Sequence, residues 1–324
     1  MTSRARRRVA ASVLALLVVA AGCTADPSEP LVAPGAVPGL GAAAIGQPRP
    51  SDLDDVQPKP SQAPYDTPAP RSRACIQGTG SSSTAGCVFG DPDGDVDVAM
   101  VGNSKTLQWL PALDEVADLN GWRITLHAKS VCELTAAPTR DHPSIVTDGF
   151  PDCDLFNERM LAELTGPDRP DVLVTALDTL KVRQDDPALP AARVDALRRD
   201  GVVDYWEQVR AAGVEVVVLA ATPRLPFDVP ACLRRTGVPA RCTVPHDQAY
   251  APVWKTGESE AATREAGVAF VDLNDLVCPG ATCEPVIGGL TVYRDRHHIT
   301  ASYMETLAPA LAERLDGVLE LDRG

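Results

Sequence analysis

Ser104 has the sequence surroundings of an exposed nucleophile. It follows the apolar run 96–101 and Gly102, so it lies where a predicted strand turns into a helix. At such a turn the hydroxyl is exposed, and the free N–H groups of the helix N-terminus gather around it. The same position suits a serine that only caps the helix. Taken alone, Ser104 leaves both interpretations open.

Asp295 and His298 form an Asp-x-x-His pair shortly before the last predicted helix. On one tight turn, the carboxylate of Asp295 can accept a hydrogen bond from Nδ1–H of His298, which leaves Nε2 free to take a proton from a serine hydroxyl. Two other interpretations of this stretch stay open. It could be a solvated polar turn, or His297 and His298 could bind a metal weakly.

The elements that would position these residues form an alternating pattern from Cys75 to Gly324. Short β-branched apolar runs alternate with helical stretches, which predicts an α/β fold: a three-layer, doubly wound sheet of about five parallel strands. The predicted strands are 96–101, 123–127, 172–175, 214–219 and 268–271. The predicted helices include 155–164, 191–212, 258–266 and 302–319, the last with Ser302 and Glu305 as a capping box.

Ligands of such open sheets bind beyond the carboxyl ends of the strands. The loops expected to converge there are 102–105 after the first strand, 129–132 after the second, and 293–300 before the final helix. These loops carry Ser104, Ser130, Asp295 and His298. The sequence therefore predicts one site at this edge of the sheet.

Together, these motifs and their order resemble the SGNH (GDSL-like) hydrolase superfamily, whose domain is SGNH/flavodoxin-like. The stretches 87–91, 101–113, 129–132 and 293–300 look more specifically like the extracytoplasmic SGNH domain often fused to integral-membrane acyltransferases that modify envelope glycans. The resemblance implies Ser104 as nucleophile, His298 as general base and Asp295 as its orienting partner. It also implies that the Ser104 amide is one oxyanion donor.

The sequence departs from the superfamily pattern at several positions. The first block usually reads Gly-Asp-Ser-His, whereas this chain has Asn103 before the serine and Lys105 after it. Lys105 could face solvent or stabilise negative charge near the serine, and we expect it to face solvent. The glycine and the Gly-x-Asn-Asp block that supply further oxyanion donors are not evident, so the Ser130 amide or the Thr175 hydroxyl would have to replace them.

The N-terminus reads as an export signal over residues 1–22, with Arg4, Arg6, Arg7 and Arg8 before an apolar run too short to span a bilayer. It ends in Ala-Ala-Gly-Cys23, which resembles the lipobox of bacterial lipoproteins and implies a lipid on Cys23. Ordinary secretory cleavage and twin-arginine export stay open. Residues 23–74 are Pro-rich and lack apolar periodicity, so we expect a lipidated Cys23 followed by an extended linker.

The eight cysteines after Cys23 come as close neighbours in an exported chain, so disulfides are expected. The predicted pairs are Cys75 with Cys87, Cys132 with Cys153, Cys232 with Cys242, and Cys278 with Cys283. No pair has CxxC spacing, and histidines do not cluster with the cysteines. This pattern argues against a structural zinc site.

The net charge of the chain argues against one class of partner. The net charge falls from −14 to about −18 once the four signal arginines are removed, which disfavours nucleic acid as a partner. The expected function is that of a lipid-anchored extracytoplasmic serine esterase or O-acyltransferase on acylated cell-envelope glycans, with residues 75–324 as the SGNH-like domain. The expected reaction of Ser104, His298 and Asp295 needs neither a metal nor an organic cofactor. The alternative is a catalytically silent SGNH-fold surface lipoprotein that binds a glycan or a protein partner.

Overall fold

A computed structural model describes residues 30–68, 75–139, 151–177, 190–250 and 256–319. The strands are β1 (Ile76–Gln77), β2 (Cys87–Gly90), β3 (Val96–Gly102), β4 (Trp122–Lys129), β5 (Val172–Ala176), β6 (Glu215–Leu219), β7 (Val244–Pro245), β8 (Ala269–Val271), β9 (Thr282–Cys283), β10 (Val286–Ile287) and β11 (Leu290–Thr291). The helices are α1 (Ser104–Leu107), α2 (Leu110–Asn120), α3 (Pro151–Leu164), α4 (Ala191–Ala211), α5 (Val229–Thr236), α6 (His246–Tyr250), α7 (Thr256–Ala266), α8 (Asn274–Val277), α9 (Ala301–Glu305) and α10 (Ala308–Asp316).

The main sheet has the order β1–β4–β3–β5–β6–β8, and β2 also pairs with β4. The five predicted strands form the parallel centre of this sheet. Their order there is β4, β3, β5, β6, β8, so the second predicted strand comes before the first. That order reverses beside β3, where Val98 pairs with Ile124 on one side and with Val172 on the other. The predicted doubly wound fold is confirmed, and its switch point for ligand binding lies at the carboxyl end of β3.

The outer edge of β4 carries two short strands that the apolar pattern did not predict. β2 runs antiparallel along residues 123–126, and β1 runs parallel at residues 128–129. The Cys75–Cys87 disulfide joins the residue just before β1 to the first residue of β2. The β4 edge is therefore covered by a locally cross-linked segment, which leaves fewer free backbone groups there.

Helices cover both faces of the sheet. α3, α4 and α7 contribute Phe156, Trp206 and Ala262 to a buried cluster with alternate strand residues such as Val101 and Val218. On the other side, α2 contacts β2, β4, α9 and α10. Burial on both faces explains the nearly continuous apolar runs of the central strands.

Proline divides the two long helical stretches that flank the site. Pro111 lies in the first turn of α2, after a break behind α1, and Pro309 lies in the first turn of α10, after a break behind α9. The prediction of one helix over residues 302–319 is therefore wrong. The Ser302 and Glu305 capping box is wrong as well, because the N-cap is Thr300, whose Oγ1 accepts from the Tyr303 amide at 3.3 Å.

Residues 30–68 pack against the folded body and belong to the same compact unit, residues 30–319. Val56 and Ala63 are fully buried, and Leu31 is almost so. The Gly41 amide donates to the Gly288 carbonyl in the turn between β10 and β11 at 3.0 Å. The extended linker predicted for 23–74 is wrong for this part of the segment. The export signal and Cys23 lie outside the described residues.

All four predicted disulfides are present, and each joins cysteines that are neighbours in the sequence. They are Cys75–Cys87, Cys132–Cys153, Cys232–Cys242 and Cys278–Cys283, at separations of 12, 21, 10 and 5 residues. Cys132–Cys153 is the one nearest the predicted site, since it joins the loop after β4 to α3. By the chain-entropy model, a loop of this length contributes roughly 3 kcal/mol.

The Cys232–Cys242 disulfide belongs to the scaffold and lies outside the three loops predicted to form the site. It cross-links α5 to the turn of 3-10 helix Pro239–Cys242 that follows it. Cys242 is buried, and its Sγ also lies 3.4 Å from Oγ1 of Thr236, the last residue of α5. Cys242 is therefore a structural residue.

The Cys278–Cys283 disulfide closes a short loop between α8 and β9, and both of its cysteines are buried. It too lies outside the predicted site loops.

Among the residues that the structure describes, no helix is long and apolar enough to cross a membrane.

Candidate active site

Ser104 is the first residue of α1, directly beyond β3. Gly102, two residues before Ser104, has φ = 154°. A Cβ on this residue would lie 2.1 Å from Oγ1 of Thr106, so only glycine fits this turn. The helix cap is Asn103, whose Oδ1 accepts from the Lys105 amide at 2.8 Å. The capping interpretation of Ser104 is therefore wrong, and its hydroxyl is free for another partner.

That partner is His298. Its Nε2 lies 2.8 Å from Oγ of Ser104, and its Nδ1 lies 2.7 Å from Oδ2 of Asp295. A carboxylate only accepts hydrogen bonds, so the tautomer that satisfies both contacts carries its proton on Nδ1. Nε2 then accepts from the serine hydroxyl. The three side chains thus form a hydrogen-bonded Ser-His-Asp arrangement, in which Ser104 and His298 are 194 positions apart in the sequence.

The turn that carries Asp295 and His298 is held by the same carboxylate. Oδ1 of Asp295 accepts from the amides of His297 at 2.8 Å and His298 at 2.9 Å. One oxygen of Asp295 therefore orders the backbone while the other orients the imidazole. An antiparallel bridge between Tyr293 and Ile299 closes the loop around this turn.

Burial and charge set the protonation states of the loop. Burial alone would raise the pKa of Asp295. The hydrogen bond from His298 and the nearby imidazoles lower this pKa by more than burial raises it, so the net pKa falls well below 3.8. Burial lowers the pKa of His298, and the Asp295 contact only partly reverses this effect. His298 is consequently neutral at pH 7, the form that accepts a proton.

Lys105 is fully buried, so the expectation that it faces solvent is wrong. Its ammonium donates to the backbone carbonyl of His297 and to Oγ1 of Thr222 at 3.0 Å. These acceptors replace the water that a buried ammonium loses. The ammonium also contributes to the lowered pKa values of both histidines.

Gln108 contacts the same loop from one turn further along. Its Oε1 accepts from the Ile299 amide at 3.2 Å, and its Nε2 donates to Thr222 Oγ1 at 2.9 Å. Lys105 and Gln108 therefore hold the residues on either side of His298. Gln108 follows Ser104 by four positions, so the helical period that places both on one face could have identified it.

The three groups predicted to donate hydrogen bonds to an oxyanion differ in whether they already have another partner. Ser104 stands in the first turn of a helix, where N–H groups have no acceptor within the helix. The Ser130 amide is already donated to the Gln77 carbonyl at 2.9 Å, so the prediction that it is a free donor is wrong. Thr175 is buried at the end of β5, before Ala176, whose amide donates to Thr106 Oγ1 at 3.0 Å.

Val131 lies in the loop after β4, next to Ser130, and was not identified from the sequence. It has φ = 56° and is 40% exposed, in a tight turn closed by the Cys132 amide and the Lys129 carbonyl at 3.4 Å. Left-handed backbone at the third turn position normally requires glycine. A β-branched residue held there is a strained feature, of the kind that clusters at functional sites.

Asn103 connects the nucleophile turn to the loop after β4. Its Nδ2 donates to Oε1 of Glu133 at 2.7 Å, while the side chain is almost completely buried. The amide thereby keeps the acceptor geometry of the cap and gains an anionic partner. An aspartate at this position would instead face the Glu133 carboxylate.

Asp295, His297 and His298 also offer ligand atoms that lie within 4.8 Å of one another. However, both ring nitrogens of His298 and both carboxylate oxygens of Asp295 already take part in hydrogen bonds. A metal would have to displace those contacts. The arrangement favours proton transfer over metal binding.

A profile of the family described as "SGNH domain (fused to AT3 domains)" matches residues 74–313. The chain belongs to this family. Nothing among curated protein sequences matches it. The match begins after residue 68, so the packed segment 30–68 lies outside the part that the family profile covers.

Two solved structures resemble the SGNH domain. The lipopolysaccharide acetyltransferase periplasmic domain of Salmonella ser. Paratyphi A is 12% identical, with a TM-score of 0.50, and the match covers 69% of this chain and 84% of that one. A carbohydrate esterase family 2 enzyme with a carbohydrate binding domain, from Corynascus thermopiles (Myceliophthora fergusii), is 15% identical, with a TM-score of 0.35 and coverage of 69% and 68%. The Salmonella domain shares the fold.

Proposed function

We propose that this SGNH domain is a serine esterase or O-acyltransferase that acts on acyl esters. The observation that carries this proposal is the pair of contacts made by His298, to Ser104 Oγ at 2.8 Å and to Asp295 Oδ2 at 2.7 Å. A hydroxyl, a neutral imidazole and a carboxylate aligned in this order are the requirements of nucleophilic acyl transfer.

In the proposed reaction, Ser104 Oγ attacks the ester carbonyl while its proton moves to Nε2 of His298. The tetrahedral intermediate collapses, the C–O bond to the alcohol breaks, and His298 returns the proton to the leaving oxygen. Water or a sugar hydroxyl then attacks the acyl-enzyme and gives its proton to His298. The acyl group leaves as a carboxylic acid or a new ester, and Ser104 recovers its proton. Asp295 stays ionised throughout and stabilises the imidazolium.

The oxyanion would receive hydrogen bonds from the backbone amides of Ser104 and Val131. The Val131 amide replaces Ser130 as candidate because the Ser130 amide is used within the sheet edge. Losing one such donor lowers the rate by about 100- to 1000-fold in well-studied hydrolases, so this pair decides the level of activity.

The substrate class rests on family membership. The family is described as fused to AT3 domains, and the structurally similar Salmonella domain is described as part of a lipopolysaccharide acetyltransferase. These descriptions favour an acylated cell-envelope glycan as substrate and the extracytoplasmic face of a membrane as location. Lipidation of Cys23 would tether the domain there.

A catalytically silent binding module is the second candidate. The stretch directly after β5, residues 177–190, has no asparagine to serve as the superfamily's third oxyanion donor, and Lys105 occupies the usual histidine position. A fold with an incomplete oxyanion site could retain a glycan or a protein without turning it over. The two candidates differ in the reactivity of Ser104.

A serine-directed fluorophosphonate would distinguish them. We expect the protein without residues 1–23 to be labelled at Ser104 and to hydrolyse an activated acetyl ester. Ser104→Ala should lose both properties, whereas Ser130→Ala, a matched serine in the neighbouring loop, should keep both. An unlabelled parent protein without esterase activity would exclude the enzyme and leave the binding module.

A further inference from the structure

Residues 56–66, here called the clasp segment, contact the chain on both sides of the loop that carries Asp295 and His298. The segment lies outside the residues that match the family profile, yet it belongs to the same compact unit. Val56 and Ala63 anchor it, with side chains 1% and 0% exposed. Its remaining contacts are mainly backbone hydrogen bonds to two places in the chain, one on each side of the Asp295–His298 turn.

The first place is β11, which precedes the loop. The Gln57 amide donates to the Gly289 carbonyl at 2.8 Å, and the Gln57 carbonyl accepts from the Thr291 amide at 2.8 Å. Oγ1 of Thr291 donates to the Pro58 carbonyl, also at 2.8 Å. The clasp segment thus joins the β10–β11 hairpin through one isolated parallel bridge, from Gln57 to Leu290.

The second place is the start of α9, which follows the loop. The Asp66 carbonyl accepts from the Ala301 amide at 3.2 Å, and its Oδ2 accepts from the Ser302 amide at 3.1 Å. These are the amides of the first helical turn, which a helix cannot satisfy itself. Asp66 therefore holds the chain three residues beyond His298.

The two places are themselves connected. Oγ1 of Thr300 donates to the Thr291 carbonyl at 2.6 Å, and the Thr300 amide donates to the Val292 carbonyl at 2.9 Å. Within this base, the Arg294 amide donates to the His298 carbonyl at 3.0 Å. The loop is therefore a closed hairpin whose two ends are both attached to the clasp segment.

We propose that the clasp segment is a positioning element of the active site, which holds both ends of the loop so that His298 stays aligned with Ser104. The proposal rests on the proposed function. Lys105 and Gln108 hold the tip of the loop against α1, and the clasp segment holds its base. Misplacement of a reacting group by about 1 Å from a remote change can lower a rate by 100-fold.

The test uses single changes at each attachment in the full chain. Asp66→Ala removes the acceptor for the Ser302 amide, and Asp66→Asn restores an acceptor oxygen. Thr291→Val removes the donor to Pro58 and keeps the shape of the side chain. We expect Asp66→Ala and Thr291→Val to lower kcat on an activated acetyl ester by roughly tenfold to 100-fold. KM should change little, and Asp66→Asn should recover most of kcat.

Arg234→Ala is the matched control. Nη1 of Arg234 donates to the Pro60 carbonyl at 2.8 Å, so it holds the clasp segment to α5 and not to the loop. This variant should lower Tm without lowering kcat. An equal loss of kcat in Arg234→Ala would overturn the proposal, because the segment would then act only through general stability. Unchanged kcat in both Asp66→Ala and Thr291→Val would also overturn it.

A readout without turnover separates this proposal from the proposed function. In ¹⁵N-histidine-labelled protein, the His298 Nδ1 proton bound to Asp295 should give a low-field NMR signal. We expect that signal to broaden or vanish in Asp66→Ala, to return in Asp66→Asn, and to persist in Arg234→Ala. A parent protein that shows the signal but hydrolyses no ester would refute the enzyme and still test the clasp. A signal unaffected by Asp66→Ala would refute the clasp.

Discussion

Lys105 donates a hydrogen bond from its buried ammonium to the backbone carbonyl of His297, the residue that precedes His298. Ser104, next to Lys105, contacts the imidazole of His298 itself. Two consecutive residues of α1 therefore contact two consecutive residues of the distant loop. The nucleophile and the base are held in register by a backbone contact beside the chemical one.

The first prediction concerns Lys105→Met. The change removes the buried donor to the His297 carbonyl, whereas Thr222 Oγ1 keeps the donor from Gln108, so stability should fall by about 1–3 kcal/mol. Because the ammonium lowers the pKa of His298, the rising limb of the pH–rate profile should shift to higher pH. Lys129→Met is the matched control, since that lysine is equally buried but donates to the carbonyls of Gly78 and Ser81. It should lose stability and keep the position of the limb.

The second prediction tests whether Ser104 and His298 act as a unit. Ser104→Ala and His298→Ala should each lower kcat by about four to six orders of magnitude, and the double variant should be hardly slower than either single one. Asp295→Asn should leave more activity, and His297→Ala should cost far less. Rates on an activated acetyl ester are the measurement. Additive losses in the double variant would contradict a shared proton relay.

The third prediction is the pH dependence of activity. His298 must be neutral to act as a base, and burial lowers its pKa below the usual 6.5. The value of kcat/KM should therefore rise with pH and level off before neutrality, since this parameter reports the free enzyme. A limb centred above 6.5 would mean that the Asp295 contact outweighs burial.

The fourth prediction is the pH dependence of stability. Burial and the neighbouring His298 lower the pKa of His297 to about 4, so between pH 6.5 and 4 the unfolded chain binds more protons at this residue than the folded one. Stability should therefore fall as the pH drops through this range, and His298 acts in the same direction. Tm measured across this range and up to neutrality checks this, and His297→Gln should flatten the decline.

The fifth prediction concerns strain at Val131. An L-residue in left-handed backbone costs roughly 1–2 kcal/mol, which Val131→Gly removes, while the more flexible unfolded glycine returns about 0.4–1 kcal/mol. A net stability gain of about 0 to 1.6 kcal/mol is expected from those values, with activity retained. Val131→Ala keeps the Cβ and should gain nothing. Denaturant unfolding of the three proteins decides this.

The five central strands and the contacts among Ser104, Asp295 and His298 could be predicted because their signals are local. Apolar runs on both faces mark strands such as the predicted 172–175, and Gly102 and the Asp295-x-x-His298 spacing mark turns. The disulfide pairs, such as Cys232 with Cys242, followed from the same short spacing. All of these signals depend on side chains at fixed offsets in the sequence.

The clasp segment could not be predicted, because Gln57, Pro58 and Asp66 bind mostly through backbone groups. Backbone hydrogen bonds leave no apolar period to read, and the high proline content reads as an extended linker. The burial of Lys105 was missed for a related reason. Its acceptors, the His297 carbonyl and the Thr222 hydroxyl, come together only when three distant parts of the chain meet.

The cysteine pairing bears on how the chain acquires its cross-links. Each disulfide joins two cysteines that are consecutive in the sequence, and the widest pair is separated by 21 residues. During translocation from the N-terminus, which we propose for this chain, each cysteine emerges directly before or after its native partner. With the thiol of Cys23 lipidated, as proposed, an oxidase that joins the other eight thiols in order of arrival would select the native set from their 105 possible pairings. Biogenesis then requires no disulfide isomerase, and a host that lacks one should still produce the oxidised protein.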